Sequence, residues 1–561
     1  MICLMRRGSI GLCAATAMLL APSGWSSTGS QHPNSPPPAG GLWTGGVGIW
    51  SSPSNWNVTG DWQLNSPTGP LIDAGNPITS VVMVDVNVST PGAVIDANDA
   101  IRILSGHGLK LLAPSQAPVI TCAGSIVLEG YSATSRLTVG PDQALVLNGG
   151  GTVTLLTADR SVINGENAQS LLYNVNALIH GAGKIGDDSL GLVNGGVIRA
   201  SVNERNLVVD PGPLGMTNAG ELHATGGGRL LLQNGVIQNP GRLVAGDGSR
   251  VEIEGATVFG GELDADGDGF FRTSSTPSAL HNVTCLAPYE LGPTRLTLSG
   301  FLVNNNLFSV VPGQTLAPPG GDNDLETSEL VIPPGTGDFT LNGDGTMRLH
   351  LCTVHSGSTA ASGRLIHGPD HTIIGAGLLG ANTVGLVNHG TIIADEYNSI
   401  AIDPPNPLMV ENNGSMIAMG FGGISVTGAT FVNNGMIEVR DASRFIITSN
   451  VTLVNNAAGT LNGGTWRVLA EGHPTTLGFW GGTQIFSNNA DILLSGVGSF
   501  FAPINVLSDN LARLSLRNGR DFSTSAGFFT NTGTLDLGAT CLFKVNGVYM
   551  QDDLGRLMIE V

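Results

Sequence analysis

Lysine is almost missing from this chain: Lys110, Lys184 and Lys544 are the only three in 561 residues. Charged residues of every kind reach 12% and aromatics 5%, the first about half the usual share. With a net charge of −19, the attraction that drives nucleic-acid binding is absent, and no nucleic-acid partner is expected. Long helices are disfavoured too, because glycine fills 81 positions and each interior glycine costs a helix about 1 kcal/mol against alanine. No G-X-Y period accompanies those glycines, which excludes collagen. Beyond residue 21 no apolar run is long enough to cross a bilayer as a helix. Cysteine is sparse as well. Cys122, Cys285, Cys352 and Cys541 stand too far apart for a disulfide-stapled mini-domain, so they read as small buried apolar residues. A hydrophobic share of 41% nevertheless excludes general disorder. What remains is a glycine-rich β-protein.

The first residues carry an address. Arg6 and Arg7 precede the apolar stretch Ile10 to Ala21, and Ala21 and Ser23 are small. This pattern predicts a secretory signal over 1–23, with a core of about 12 residues that is too short to span a bilayer. Cys3 and Cys13 leave with it. A secreted or cell-surface location follows as the expectation. Residues 24–41, with Pro33 and Pro36 to Pro38, read as an extended linker.

Internal repetition sets the architecture. Gly181, Gly183, Gly186, Asn194, Gly196 and Ala200 recur as Gly375, Gly377, Gly380, Asn388, Gly390 and Ala394. The offset predicts a duplicated block, about 140–333 and 334–527. Inside it runs a shorter beat, Asn-x-Gly-x-Ile/Leu-x-Ala, at Asn194, Asn218 and Asn239, and again at Asn388, Asn412 and Asn433. Asn and Gly set a turn, with positive φ as the expected reason. The alternation after it is a short strand, with Ile198 and Ala200 on one side and Val197 and Arg199 on the other. Strands recurring every 21–24 residues predict an all-β, single-stranded parallel β-helix of about 22 coils, on the order of 100 Å long. Its inward face would be aliphatic, with Asn stacked at a corner. Propellers and sandwiches want longer periods. The solenoid is expected over 101–561. Residues 42–100 hold Trp43, Trp50, Trp56 and Trp62 and read as an N-terminal cap, with a sugar-stacking platform as the competing assignment.

The segment Trp43-Thr44-Gly45-Gly46 … Trp50-Ser51 … Asn55-Trp56, the N-x-G-x-I-x-A beats and the closing Tyr549-x-Gln551 … Gly555-x-Leu557 resemble secreted bacterial β-helix proteins of the autotransporter-passenger type. The resemblance implies an extracellular repeat scaffold. It departs from that group in lacking a C-terminal membrane barrel. The pattern is still strand-like at Val561, so a longer natural chain is one expectation.

Several motifs invite chemistry. Gly181-x-Gly183-x-x-Gly186 and Gly375-x-Gly377-x-x-Gly380 match the dinucleotide fingerprint, but no helix pattern follows either, and coil turns are the expected explanation. Asp264, Asp266 and Asp268, followed by Gly269, alternate as carboxylates that wrap a hard cation do; Ser275 stands where an EF-hand places Glu. They are the candidate ligands of a structural Ca²⁺, the one cofactor considered. His350, Cys352, His355, His367, Asp370 and His371 fall within zinc spacings, yet the first copy carries Leu156, Ala158, Ser161, Tyr173 and Ala177 against the His and Cys positions, so chance clustering is expected. Neither G-x-S-x-G nor H-E-x-x-H occurs. Carboxylates for glycan cleavage would have to converge from several coils, with Glu262 and Asp264, Asp322, Asp324 and Glu326, and Asp395 and Glu396 as possible members. The expected function is an exported surface or extracellular structural or adhesive protein without catalysis, meeting a glycan or cell-surface partner. A glycan-cleaving β-helix enzyme is the alternative.

Overall fold

A segment that alternates apolar and polar side chains buries one face only, so it needs a second layer on that side. The computed structural model supplies the layer by winding the chain on itself. It describes residues 41–43, 45–57, 69–72, 79–113, 117–311, 328–361, 363–428 and 430–560. The predicted signal, nearly all of the linker, Trp62 and the group Asp322, Asp324 and Glu326 lie outside the described residues.

Sixty strands join in one sheet. Most pair in parallel with the strand three places further on, as Ser170–Asn174 does with Leu190–Asn194, Leu178–Gly181 with Val197–Ala200, and Gly183–Gly186 with Asn206–Val209; where one long strand covers two faces, as Ser278–Cys285 and Arg295–Asn304 do, the partner is two places on. Three strands therefore make a coil with three faces, named first, second and third in that order. The result is a parallel β-solenoid of about 20 turns. Among the described residues the only helical pieces are two 3₁₀ turns, Pro53–Asn55 and Ala502–Ile504.

The core is built from columns. On the second face Ile126, Val153, Ile179, Ile198, Leu222 and Leu243 lie in register from coil to coil, each no more than 1% exposed. At a strand spacing of ~4.8 Å each is covered above and below, and burial of such a side chain stabilises by about 1.5–3 kcal/mol. Trp43, Trp50 and Trp56 are buried together at the start of the described chain. Their rings meet edge to face, with centroids 5.0 and 4.9 Å apart, and all three belong to the continuous core. Cys122, Cys285 and Cys352 are buried free thiols, and Cys541 is a half-buried one.

The expected Asn ladder is present. Nδ2 of Asn174 donates to Oδ1 of Asn194 at 2.8 Å, Asn194 to Asn218 at 2.8 Å, and Asn218 to Asn239 at 2.7 Å. These rungs stand 20, 24 and 21 residues apart. Other coils are longer: partners on successive coils are 27 residues apart for Ser105 and Ser132, and 26 for Thr138 and Asn164. Pairing constrains strands and not turns, so extra residues leave through the corners.

One expectation is corrected. Neither the ladder asparagines nor the glycines two residues after them have positive φ. Those glycines are required by close stacking. A Cβ on Gly220 would lie 2.1 Å from the Gly196 carbonyl oxygen, and one on Gly414 2.1 Å from that of Gly390. Gly220→Ala is therefore expected to cost about 1–3 kcal/mol through overpacking, read as a lowered melting temperature by circular dichroism. Gly108→Ala, where the added Cβ meets nothing nearer than 3.6 Å, should leave it unchanged; equal losses in the two would refute the steric account.

Candidate functional site

The coil geometry separates most of the predicted ligands. Gly181 and Gly375, at φ of 117° and 122°, are corner residues whose added Cβ would sit 2.0 Å from the carbonyl oxygen of Leu155 or Leu349 on the preceding coil. Strands Leu190–Asn194 and Gly385–Asn388 follow them, so no helix N-terminus is offered to a pyrophosphate. Asp264 leaves the second face ion-paired to Arg242. Asp268 Oδ1 accepts the Gly248 N–H at 2.6 Å, and Asp266 is exposed. Among the described residues no three His, Cys, Asp or Glu side chains are gathered to hold a metal; the calcium expectation rests on the motif alone.

The histidine-rich group divides. Cys352 is buried, and burial pushes its thiol up to about 12, out of reach of nucleophilic chemistry near neutral pH. His355 Nε2 faces Glu329 at 3.6 Å, and Asp370 points to solvent. His367 and His371 come together, in a role the spacing does not reveal: they are rungs of the ladder. Asn388 Nδ2 donates to Asn412 Oδ1, and Asn412 Nδ2 to Asn433 Oδ1, both at 2.7 Å. Asn388 Oδ1 must then accept from His367 Nδ1, at 2.6 Å. His367 Nε2, left as an acceptor, accepts a hydrogen bond from His371 Nδ1–H at 3.0 Å, and His371 Nε2 accepts from Asn304 Nδ2 at 3.0 Å. Ladder polarity thus fixes one tautomer for each neutral ring. Both rings are fully buried, and burial lowers His367 to about 4 and His371 to about 3. His367 occupies the rung that Asn174 fills in the first copy, not the place of Tyr173 as a constant offset implies. The turn after the rung is one residue longer in the second copy.

Two motifs that looked unrelated do converge, at the corner between the second and third faces. His350 Nδ1 lies 2.7 Å from Glu396 Oε1. Arg348 sits between the carboxylates, 3.5 Å from Asp395 Oδ2 and 3.8 Å from Glu396 Oε1. The strand Thr346–His355 bulges at Leu351, whose φ is 52°, and this turns the chain from the second face to the third. Directly after Glu396, Tyr397 stands 81% exposed, and Phe421 on the next coil is 72% exposed with its ring centroid 6.2 Å away. Sequence reading missed this pair because its members are a coil apart, each isolated in a turn. The arrangement offers two exposed rings, tilted 46° to each other, beside a polar edge of guanidinium, imidazole and carboxylates.

Asp210 is the one described carboxyl with a resolved upward shift. Burial raises it, against a hydrogen bond from Asn234, and the negative charges of Asp188 and Asp187 push in the same direction as burial. Comparison with known proteins adds no relative: no family model matches the chain, and neither a curated protein nor a solved structure is significantly similar to it.

Proposed function

We propose that this protein is an exported, non-catalytic β-solenoid that acts as a structural or adhesive element outside the cell and holds carbohydrate at its corners. The observation that carries this reading is how the outward charges are used. Arg242 engages Asp264, Arg295 engages Glu329, and Arg513 and Arg517 both reach Asp536 at 2.7 Å. The Arg364 guanidinium holds Asp338 below the usual carboxylate range. A carboxylate so engaged is a weak base and a poor proton donor, whereas a general acid needs a raised pKa. The charges tie one coil to another. The N-terminal Arg6–Arg7 and apolar segment supports export, and the exposed Tyr397–Phe421 pair supports carbohydrate contact, since C–H groups of a sugar face pack on aromatic faces while the phenol hydrogen-bonds.

The test is retention and turnover together. The purified chain is passed over immobilised neutral and acidic polysaccharides, and released reducing ends or unsaturated products are counted. Retention without product is the expected result. Tyr397→Ala combined with Phe421→Ala should weaken retention about tenfold, the equivalent of roughly 1.4 kcal/mol, with the melting temperature unchanged; retention equal to the parent's would remove the ring pair from the argument. Turnover would favour the second reading, glycan cleavage, for which Asp210 beside Asp187 and Asp188 is the specific support. Loss of that turnover in Asp210→Asn would then establish it.

A further inference from the structure

Near the N-terminal end, the third face carries a groove of about 560 Å³, within the size range of small-ligand sites. Its floor is unusual for this molecule. Gly108 points outward from strand Gly108–Leu111, next to Arg136 in register. It has no positive φ, and a Cβ there would meet nothing nearer than 3.6 Å. Neither backbone conformation nor coil stacking asks for glycine, in contrast to Gly220 and Gly414. What the missing side chain does is leave the groove open.

The walls are charged, in a chain that has few cations. Lys110, one of three lysines, lies across the groove from Glu166 and pairs with it. Arg136 is exposed on the adjacent strand. Among the described residues no carboxylate lies within ion-pair distance of it, unlike the arginines that tie coils together elsewhere. His107 also lines the groove, and Thr138 and Asn164 add a hydroxyl and an amide in the same outward column as Lys110. The unpaired guanidinium presents a fork that matches a carboxylate. Lys110 and the amide and hydroxyl groups suit the ring hydroxyls that surround such a carboxylate in a sugar acid.

We propose that this groove is a binding subsite for an acidic sugar residue, a uronate within an oligosaccharide, with Arg136 on its carboxylate and Gly108 as the floor beneath its ring. The proposal rests on the reading of the chain as a carbohydrate-holding solenoid and places a second, charge-selective contact on it, away from Tyr397 and Phe421.

Titration calorimetry on the full chain tests it, with an oligouronate and a neutral oligosaccharide of the same length as probes. The oligouronate should bind, more weakly as salt rises, and the neutral probe should not bind at this groove. Arg136→Gln should weaken oligouronate binding at least tenfold. Gly108→Val, which places a β-branched side chain on an exposed strand position, should abolish it while leaving the melting temperature unchanged. Parent-like affinity in both variants overturns the subsite. No oligouronate binding, with neutral polysaccharides still retained through Tyr397 and Phe421, overturns the subsite and leaves the carbohydrate-holding function standing. If nothing is retained by the parent at either place, both fall.

Discussion

Asn412→Ala is expected to destabilise the solenoid by about 2–6 kcal/mol, because it orphans two buried groups at about 1–3 kcal/mol each. One N–H of Asn388 Nδ2 loses its acceptor, the other keeping the Ser415 carbonyl at 3.2 Å, and Asn433 Oδ1 loses its donor, both lost bonds now made at 2.7 Å. All three side chains are fully buried, so water cannot replace the missing partner without opening the corner. The same substitution at Asn489, whose amide donates to Asn462 at 3.1 Å on an exposed surface, provides the control and should change stability by less than about 0.5 kcal/mol. Urea unfolding followed by circular dichroism measures both. Similar midpoints for the two variants would mean that the ladder is ornament on a stability set by the aliphatic columns.

The second large effect is a loss of stability in mild acid through His367 and His371. Both rings are buried neutral, at about 4 and about 3 against an ordinary value near 6.5. Above pH ~6.5 neither the folded nor the unfolded chain protonates them, and they contribute no pH dependence. Below it the unfolded chain takes up protons that the folded chain refuses, so stability falls as pH falls, until the folded rings charge as well near pH 3. The geometry explains the refusal. A proton added to His367 Nε2 would face the N–H of His371 Nδ1 across a contact now 3.0 Å long. Shifts of this size are worth about 3–5 kcal/mol per ring. His367→Asn combined with His371→Ala restores the residues of the first copy, Asn174 and Ala177, and should flatten the stability profile between pH 6.5 and 4. Because the comparison is of slopes, an overall loss from the smaller side chains does not obscure it. Parallel profiles for variant and parent would show that the two rings are not the acid-labile element.

The ladder was legible in the sequence because it repeats. Asn194, Asn218 and Asn239 announce themselves at a near-constant spacing, and the aliphatic positions after them alternate as strands must. The purpose of the accompanying glycine was not legible, since a distance of 2.1 Å to a carbonyl on the coil beneath is a property of stacking. His367 shows the same limit at finer grain: one extra residue in a turn moved it from the column of Tyr173 to that of Asn174, where ladder polarity decides its proton. Arg348 and Asp395, 47 residues apart, meet across one intervening coil.

The sequence alone determined the class of fold: the apolar period of two and the Asn-Gly beat are local, and parallel stacking is the arrangement that buries every such strand at once. Only the tertiary structure decided which side chains meet. Partners on successive coils stand from 18 residues apart, as Phe271 and Tyr289, to 39, as Leu302 and Leu341, so the column of any outward residue depends on every turn before it. Tyr397 reaches Phe421, His350 reaches Glu396, and Arg136 stands over Gly108 for that reason, through register built up coil by coil.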